Sequence, residues 1–309
     1  MRYLQLLLLL LLFSCSEEQK TTDSSLRKIT LQLNWFPEAE HGGYYEAVLK
    51  GYYKEQGLDV EIIPGGPGVR VESETALGRV DFGIANADKI LTVKDKGMNL
   101  VPLMSPFEKS PRCLMVHEES GIKAFEDLGM AQVLILNNTK PFYNWLLHKY
   151  PTLENIDTIP YNKASFMTNK SSVMQGYVNS EPLIMKEKGI NVRVLRVSDT
   201  GFNPYTSVLM TDAKLLETDP DLIKKIKDAS LKGWLSYLKE PSATNAHIEK
   251  VNPANKGTLN ASTEAMQELM SSQENFGKMQ LERWQKLADQ LKTLGILDKV
   301  PDDIGSIIP

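Results

Sequence analysis

The sequence predicts an α/β protein: two βα lobes facing a cleft, followed by a helical carboxyl-terminal tail. Three observations lead there. Ile29 to Leu33 (ITLQL) and Leu58 to Ile63 (LDVEII) alternate apolar and polar residues, as half-buried strands do, and they bracket a loop and a helix. The βα rhythm that they begin breaks after Glu119 and restarts at Ser120 to Gly129 (SGIKAFEDLG). Asp199 to Asp212 (DTGFNPYTSVLMTD) then returns in extended form, and the remainder is nearly all helical in pattern. One βα set, a second set and a return require two chain crossings, the order of a clamshell that closes on a ligand by hinge motion. On this reading residues 28–117 and 203–309 form a large lobe and residues 118–202 a small one. Periodicity alone leaves a single large sheet open.

The chain begins MRYLQLLLLLLLFSCSEE. Arg2 supplies a positive start, and Leu4 to Phe13 an apolar run too short to cross a bilayer as a permanent helix. The run ends in LFSC, which resembles a bacterial lipoprotein signal over residues 1–14 with Cys15 acylated; an ordinary secretory signal is the alternative. Several acyl chains on one residue hold a protein on a membrane where one does not. The expected location is therefore the cell envelope, periplasm or surface, anchored at Cys15. Residues 15–27 are polar and unpatterned, as a flexible tether is. The rest, about 280 residues, exceeds what one core usually holds. A net charge of −4 is mild and argues against a nucleic-acid partner. Beyond Cys15 the one thiol is Cys113, in the apolar run RCLMVH, where a core position is expected. No zinc-type spacing of cysteine and histidine occurs, and neither metal nor cofactor is expected.

The elements follow in order. After the first strand the chain turns around Pro37 and becomes helical, with Gly57 placed as a helix C′ residue. Pro64 to Gly68 (PGGPG) is either a tight strand-to-helix turn or a run of amides suited to an anion, though its spacing is not that of a P-loop. A helix over about 69–77, a strand from Val80 to Ala85 and a helix to about Lys96 come next. Asn86 begins that helix, either as its N-cap or, with Asp88, as a group facing the crevice. Asn99 to Met104 and Arg112 to Glu119 are the next strands, with His117 finishing the latter. In the second set, AQVLIL is a strand, a helix starts near Pro141, NIDTIPY is a strand and a helical stretch runs to about Tyr177. NSEP (Asn179 to Pro182), a short helix and the strand Asn191 to Val197 complete it. In the tail, Thr218, Asp219 and Pro220 start a helix that runs to Pro241, and a last amphipathic helix over about 278–294 is stopped by Gly295.

Candidate site residues gather at strand ends, where ligands bind in open α/β sheets. The loop after the first strand holds Asn34, Trp35, Glu38, Glu40 and His41, with Tyr44 and Tyr45 opening the helix. Asn86 lies at another strand end, and Tyr205 in the return segment. Glu181 in NSEP is either a capping carboxylate or the partner of a donor-rich ligand, because a carboxylate accepts two donors in one plane.

NWFPEAEHGGYYEAVLKGYYKEQGLDVEI is similar to the opening motif of the NMT1/THI5-like family, and GRVDFGIA, NSEP, SLKGWLSYLKEP and RWQKLADQLKTLGIL support the resemblance over the chain beyond the tether. That family includes bacterial solute-binding proteins for thiamine-pyrimidine precursors and eukaryotic thiamine pyrimidine synthases. The resemblance implies a type II periplasmic-binding-protein fold and an aminopyrimidine ligand such as formylaminopyrimidine or hydroxymethylpyrimidine. It also implies a ring held between Trp35 and Tyr44, Glu181 on its polar edge, and hydrogen bonds from Asn34 and His41. An ABC permease is the implied partner. Two positions depart from the family pattern: Glu38, where Asn is frequent, and Thr200, where an aromatic is common. Binding proteins for sulfonates, nitrate and flavins share the fold, but the anions among those ligands need a cation. Glu38, Glu40 and Glu181 favour a neutral or donor-rich ligand instead.

The competing class is the synthase, which builds the pyrimidine from pyridoxal phosphate and one of its own histidines. Such an enzyme needs a Schiff-base lysine, a cysteine-rich iron site and a cytosolic address. Here one thiol remains beyond Cys15, and a solvated helix face accounts for Lys50 and Lys54. The expectation is a binder, not an enzyme.

Overall fold

A computed structural model describes residues 26–309, so the signal sequence, Cys15 and nearly all of the tether lie outside the described residues. The first strand, β1 (Arg27–Gln32), starts where the tether was expected to end; Arg27 is already paired with Leu58. Helices α1 (Gly42–Leu49) and α2 (Tyr52–Glu55) lead to β2 (Leu58–Ile63), which runs parallel to β1. Gly57 ends α2 in the left-handed conformation (φ 77°), the geometry its place in the sequence predicts. Next come α3 (Val71–Ala76), β3 (Phe82–Ala85), α4 (Ala87–Lys94) and β4 (Leu100–Met104). The second half holds β5 (Arg112–His117), β6 (Val133–Ile135), α5 (Pro141–Lys149), β7 (Asp157–Ile159), α6 (Lys163–Thr168), β8 (Ser172–Tyr177), α7 (Glu181–Glu187) and β9 (Val192–Arg196). Then β10 (Val208–Asp212) returns, and α8 (Ala213–Thr218), α9 (Pro220–Lys239), α10 (Ser242–Val251), α11 (Leu259–Gln267) and α12 (Leu281–Thr293) form the tail.

The described residues form two five-stranded mixed sheets, ordered β2-β1-β3-β10-β4 and β7-β6-β8-β5-β9. The expected return is β10, which inserts antiparallel between β3 and β4. Two expectations change. Arg112–His117, assigned to the large lobe, is a strand of the second sheet, paired with β8 and β9. By sheet membership the first crossing is thus residues 105–111 (SPFEKSP), whose two prolines hold their preceding residues extended. Ser172–Tyr177, expected to be helical, is a strand between β6 and β5. Its short run carries neither period clearly, and two flanking partners decide it. The correction moves Asn179 to Glu181 to the carboxyl end of a strand.

Helix α9 is the spine of the first half. Asp219 caps it, its carboxylate accepting the Leu222 N–H at 3.0 Å. Its Trp234 and Tyr237 are fully buried against α1, and the Ser230 hydroxyl meets the Tyr53 hydroxyl at 2.8 Å. The buried Glu46 carboxylate accepts from Ser236 (2.6 Å) and Thr244, tying α1 to both α9 and α10. Cys113 is buried, as expected, and burial pushes its thiol pKa up. Among the described residues no helix is long and apolar enough to cross a membrane.

Candidate functional site

The loop after β1 is held from three sides. Gly65 donates to the Trp35 carbonyl at 3.0 Å, and a side chain at Gly65 would sit 2.3 Å from the Leu33 carbonyl. Asn252 and Asn255 both donate to the Pro37 carbonyl, at 3.0 and 2.9 Å. The PGGPG segment is therefore a close turn against this loop. Beneath it, fully buried His41 accepts the Glu38 N–H on Nδ1 (3.4 Å) and donates from Nε2 to the Asn34 side chain (3.2 Å). Burial lowers its pKa to about 3, so the ring is neutral. Asn34 and His41 brace the loop through each other. Trp35 stays half-buried, edge-on to the exposed Phe36 at 5.4 Å.

Tyr44 does not form the opposing wall. It is fully buried, edge-on to Trp234 at 5.6 Å, with its hydroxyl donating to the Ser207 carbonyl at 3.1 Å. Tyr45 is buried against His247. Tyr205 is also a core residue: its hydroxyl accepts from the Gln280 backbone (2.8 Å), and Arg283 lies 3.7 Å from its ring centroid. An aromatic in a motif gives no sequence signal of which side of its helix or strand it covers. Both rings fill space under the tail helices.

The two halves meet through a cluster of carboxyl groups. Glu38 accepts from the Ser180 hydroxyl across the seam at 3.1 Å. Glu181, the first residue of α7, accepts the Tyr161 hydroxyl on one oxygen and the Tyr177 N–H on the other, both at 2.7 Å. It braces the turn before its helix rather than capping the helix amides. Gly176 makes that possible, since a Cβ there would lie 2.8 Å from the Glu181 carboxylate. Gly176→Ala should therefore displace Glu181 from Tyr161 and the Tyr177 N–H, which urea unfolding would report as a loss of about 1–3 kcal/mol. Glu40 is buried behind Glu38, and its Oε2 has no partner; nor does the buried Oδ1 of Asn179. Glu38 is held above the ordinary carboxylate range by burial, then by Glu40 and Glu181. Burial, with a smaller contribution from Glu181, raises Glu40 to about 7.

Asn86 sits at the N-cap position of α4 without capping it. Its amide donates to the Tyr177 hydroxyl (3.1 Å) and accepts from the Ser207 N–H (3.4 Å), joining the halves. Asp88 accepts its neighbour Lys89's N–H at 3.0 Å. Ser207, at φ 53°, is a non-glycine residue in the left-handed region on the second crossing, a conformation that clusters at switch and ligand positions. The Tyr177 hydroxyl also accepts from Arg112, whose guanidinium lies 4.8 Å from the Phe142 and Tyr177 ring centroids. Sequence reasoning missed Tyr161, Tyr177, Ser180 and Arg112, because their relevance arises from sheet pairing alone. A surface depression of about 560 Å³ beside Trp145 and α12 shares none of these residues. Among the described residues no group of His, Cys, Asp or Glu is arranged to hold a metal ion.

The model of the family described as NMT1/THI5 like matches residues 38–244. The riboflavin-binding protein RibY of Chloroflexus aurantiacus is 23% identical, with 97% of this chain and 93% of that protein covered. The formylaminopyrimidine-binding protein of Halalkalibacterium halodurans is 23% identical, with 93% and 91% covered. Among solved structures, the periplasmic aliphatic sulphonate binding protein SsuA of Escherichia coli superposes with a TM-score of 0.70 at 14% identity, over 92% of each chain. The last likeness is one of fold: a periplasmic-binding-protein architecture of two βα halves.

Proposed function

The chain belongs to the NMT1/THI5-like family, and on that premise we propose that it is a solute-binding protein, not an enzyme, that captures an aminopyrimidine precursor of thiamine for an ABC permease. The lobes would close by hinge motion about the crossings at residues 105–111 and 197–207, with the protein held at the cell envelope through Cys15. The observation that carries the reading is that Glu38, on the loop that also holds Trp35, accepts from Ser180 of the other half, the residue next to Glu181. An aminopyrimidine edge presents an N–H donor beside a ring-nitrogen acceptor. A carboxyl group accepts the donor as the ion and offers its own proton to the ring nitrogen when neutral, the form that burial favours at Glu38. Stacking on Trp35 supplies about 1–3 kcal/mol. A micromolar complex needs about −8 kcal/mol, so charge-assisted hydrogen bonds and water exclusion supply the rest.

The synthase reading is weakened by His41, which is fully buried with both ring nitrogens engaged, and by Lys50 and Lys54, which are exposed. A flavin is the second reading: its ring has a comparable donor and acceptor edge, and the paired Trp35 and Phe36 rings would cover a larger ligand. Calorimetric titration with 4-amino-5-hydroxymethyl-2-methylpyrimidine and riboflavin separates the two. For the pyrimidine, Glu181→Gln should weaken binding by more than about 1 kcal/mol, and Trp35→Leu by a similar amount. Stabilisation by taurine or nitrate with none by either heterocycle would overturn the assignment.

A further inference from the structure

A second set of charges lies at the same seam, on the other side of Tyr177 from Glu181. Arg112 opens β5 in register with Tyr177, and Lys140 directly precedes α5, two residues before the Phe142 ring that Arg112 covers. Neither takes part in any ion pair formed by the described residues. The two cations are close enough to repel: the Lys140 pKa is pulled down by burial and then by Arg112. Lys89, Asp88 and Glu72 face Lys140 from the first half. In this group the three cations Arg112, Lys140 and Lys89 outnumber the two carboxyls Asp88 and Glu72. The one side-chain hydrogen bond of Arg112 goes to the Tyr177 hydroxyl, and two aromatic rings flank the guanidinium. Its position is fixed while its remaining donors are uncommitted. A planar fork so held suits an oxyanion.

We propose that Arg112 and Lys140 form an oxyanion subsite, so that the captured solute carries a phosphate, carboxylate or sulfonate group joined to its donor-bearing ring. This deepens the solute-binding reading and rests on it, but not on the ring being a pyrimidine. The carboxyl cluster takes the ring edge, and Tyr177 spans both poles, with its backbone N–H on Glu181 and its hydroxyl on Arg112. The β1 loop itself offers carboxyl groups and no cation for an anion. The cations come instead from β5 and the start of α5.

The test is calorimetric titration of the purified protein with two pairs: 4-amino-5-hydroxymethyl-2-methylpyrimidine and its monophosphate, and riboflavin and its monophosphate. In the pair that binds, the ester should bind about tenfold or more tightly than the alcohol, the scale of one charge-assisted contact. Lys140→Met should reduce that preference while leaving the alcohol's affinity within about twofold, and Arg112→Gln should weaken the ester by a larger factor than the alcohol. If Arg112→Gln does not fold, Lys140→Met carries the comparison. An ester no tighter than its alcohol, or a preference unchanged in the variants, overturns the subsite. Pyrimidine binding without ester preference keeps the solute reading and rejects the subsite; ester preference confined to the flavins does the reverse for the pyrimidine. Should neither pair bind, inorganic phosphate at fixed ionic strength decides. Thermal stabilisation lost in the variants upholds the subsite, and its absence in the wild type rejects it.

Discussion

Glu40→Gln is expected to be more stable than the wild type at pH 8 and equal to it near pH 4.5. Glu40 is 3% exposed, has one oxygen without a partner, and has its pKa raised from 4.5 to about 7. A carboxyl whose pKa is higher in the folded protein than in the unfolded chain contributes fully below the unfolded value. That contribution is lost as pH rises to the folded value. The window is therefore pH 4.5 to about 7, with a plateau above it. The shift corresponds to a wild-type deficit on the order of 3 kcal/mol at the plateau. Gln keeps the shape and hydrogen-bonding groups without the charge. Urea unfolding of both proteins without ligand, at half-unit pH steps, measures the difference curve. His41 slopes the other way: its pKa is lowered to about 3, so its contribution is present above 6.5 and falls as pH drops toward 3. The wild-type profile mixes these two effects, whereas the difference reports Glu40 together with the part of the Glu38 shift that Glu40 causes. A Gln variant less stable than the wild type at pH 8 would mean that the carboxylate is stabilised there as an ion. The same poise has a binding consequence. A ligand that donates to the carboxyl cluster favours its ionised form, so capture near neutral pH should release protons.

Local chemistry made much of the frame readable from the residues. The alternation of β1 and β2, the C′ glycine at 57 and the Asp219 cap each depend on a few adjacent residues, and each stands where the sequence puts it. Sheet membership depends on partners far away in the chain. Arg112–His117 is apolar enough for either sheet, and Ser172–Tyr177 becomes a strand because β6 and β5 flank it. The site divides in the same way. Asn34, Trp35, Glu38 and His41 share one loop, and a motif-level reading finds them together. Ser180 on Glu38, and Asn86 and Arg112 on Tyr177, are contacts between residues 65 to 142 positions apart. No local period encodes these. Tyr44 differs for another reason: closeness in sequence to the β1 loop does not fix which side of α1 a side chain covers, and Tyr44 faces Trp234.

Gly43→Ala and Gly233→Ala should each cost about 3 kcal/mol or more, beyond most single substitutions. Helices α1 and α9 approach so closely here that neither glycine has room for a Cβ. A Cβ at Gly43 would lie 2.2 Å from the Trp234 indole, and one at Gly233 would lie 2.3 Å from the Gly43 carbonyl. The indole has no room to yield, with Tyr44, Tyr237 and Phe107 at 5.6, 6.0 and 6.4 Å between ring centroids. The Gly43 carbonyl is main chain within a helix and cannot rotate away. Gly305→Ala, where nothing lies within 4 Å of the added carbon, is the matched control and should stay within about 0.5 kcal/mol. A double-mutant cycle separates packing from any other role. In a Trp234→Leu background the Gly43→Ala penalty should shrink by more than about 1 kcal/mol, because the clashing ring is gone, while the Gly233→Ala penalty, set by main chain, should persist. Equal Gly43→Ala penalties in both backgrounds would refute the contact. On this account the HGGYY run is the helix contact that positions the loop carrying Trp35 and Glu38, and under the proposed function its glycines and Tyr44 would act on binding only through those two residues.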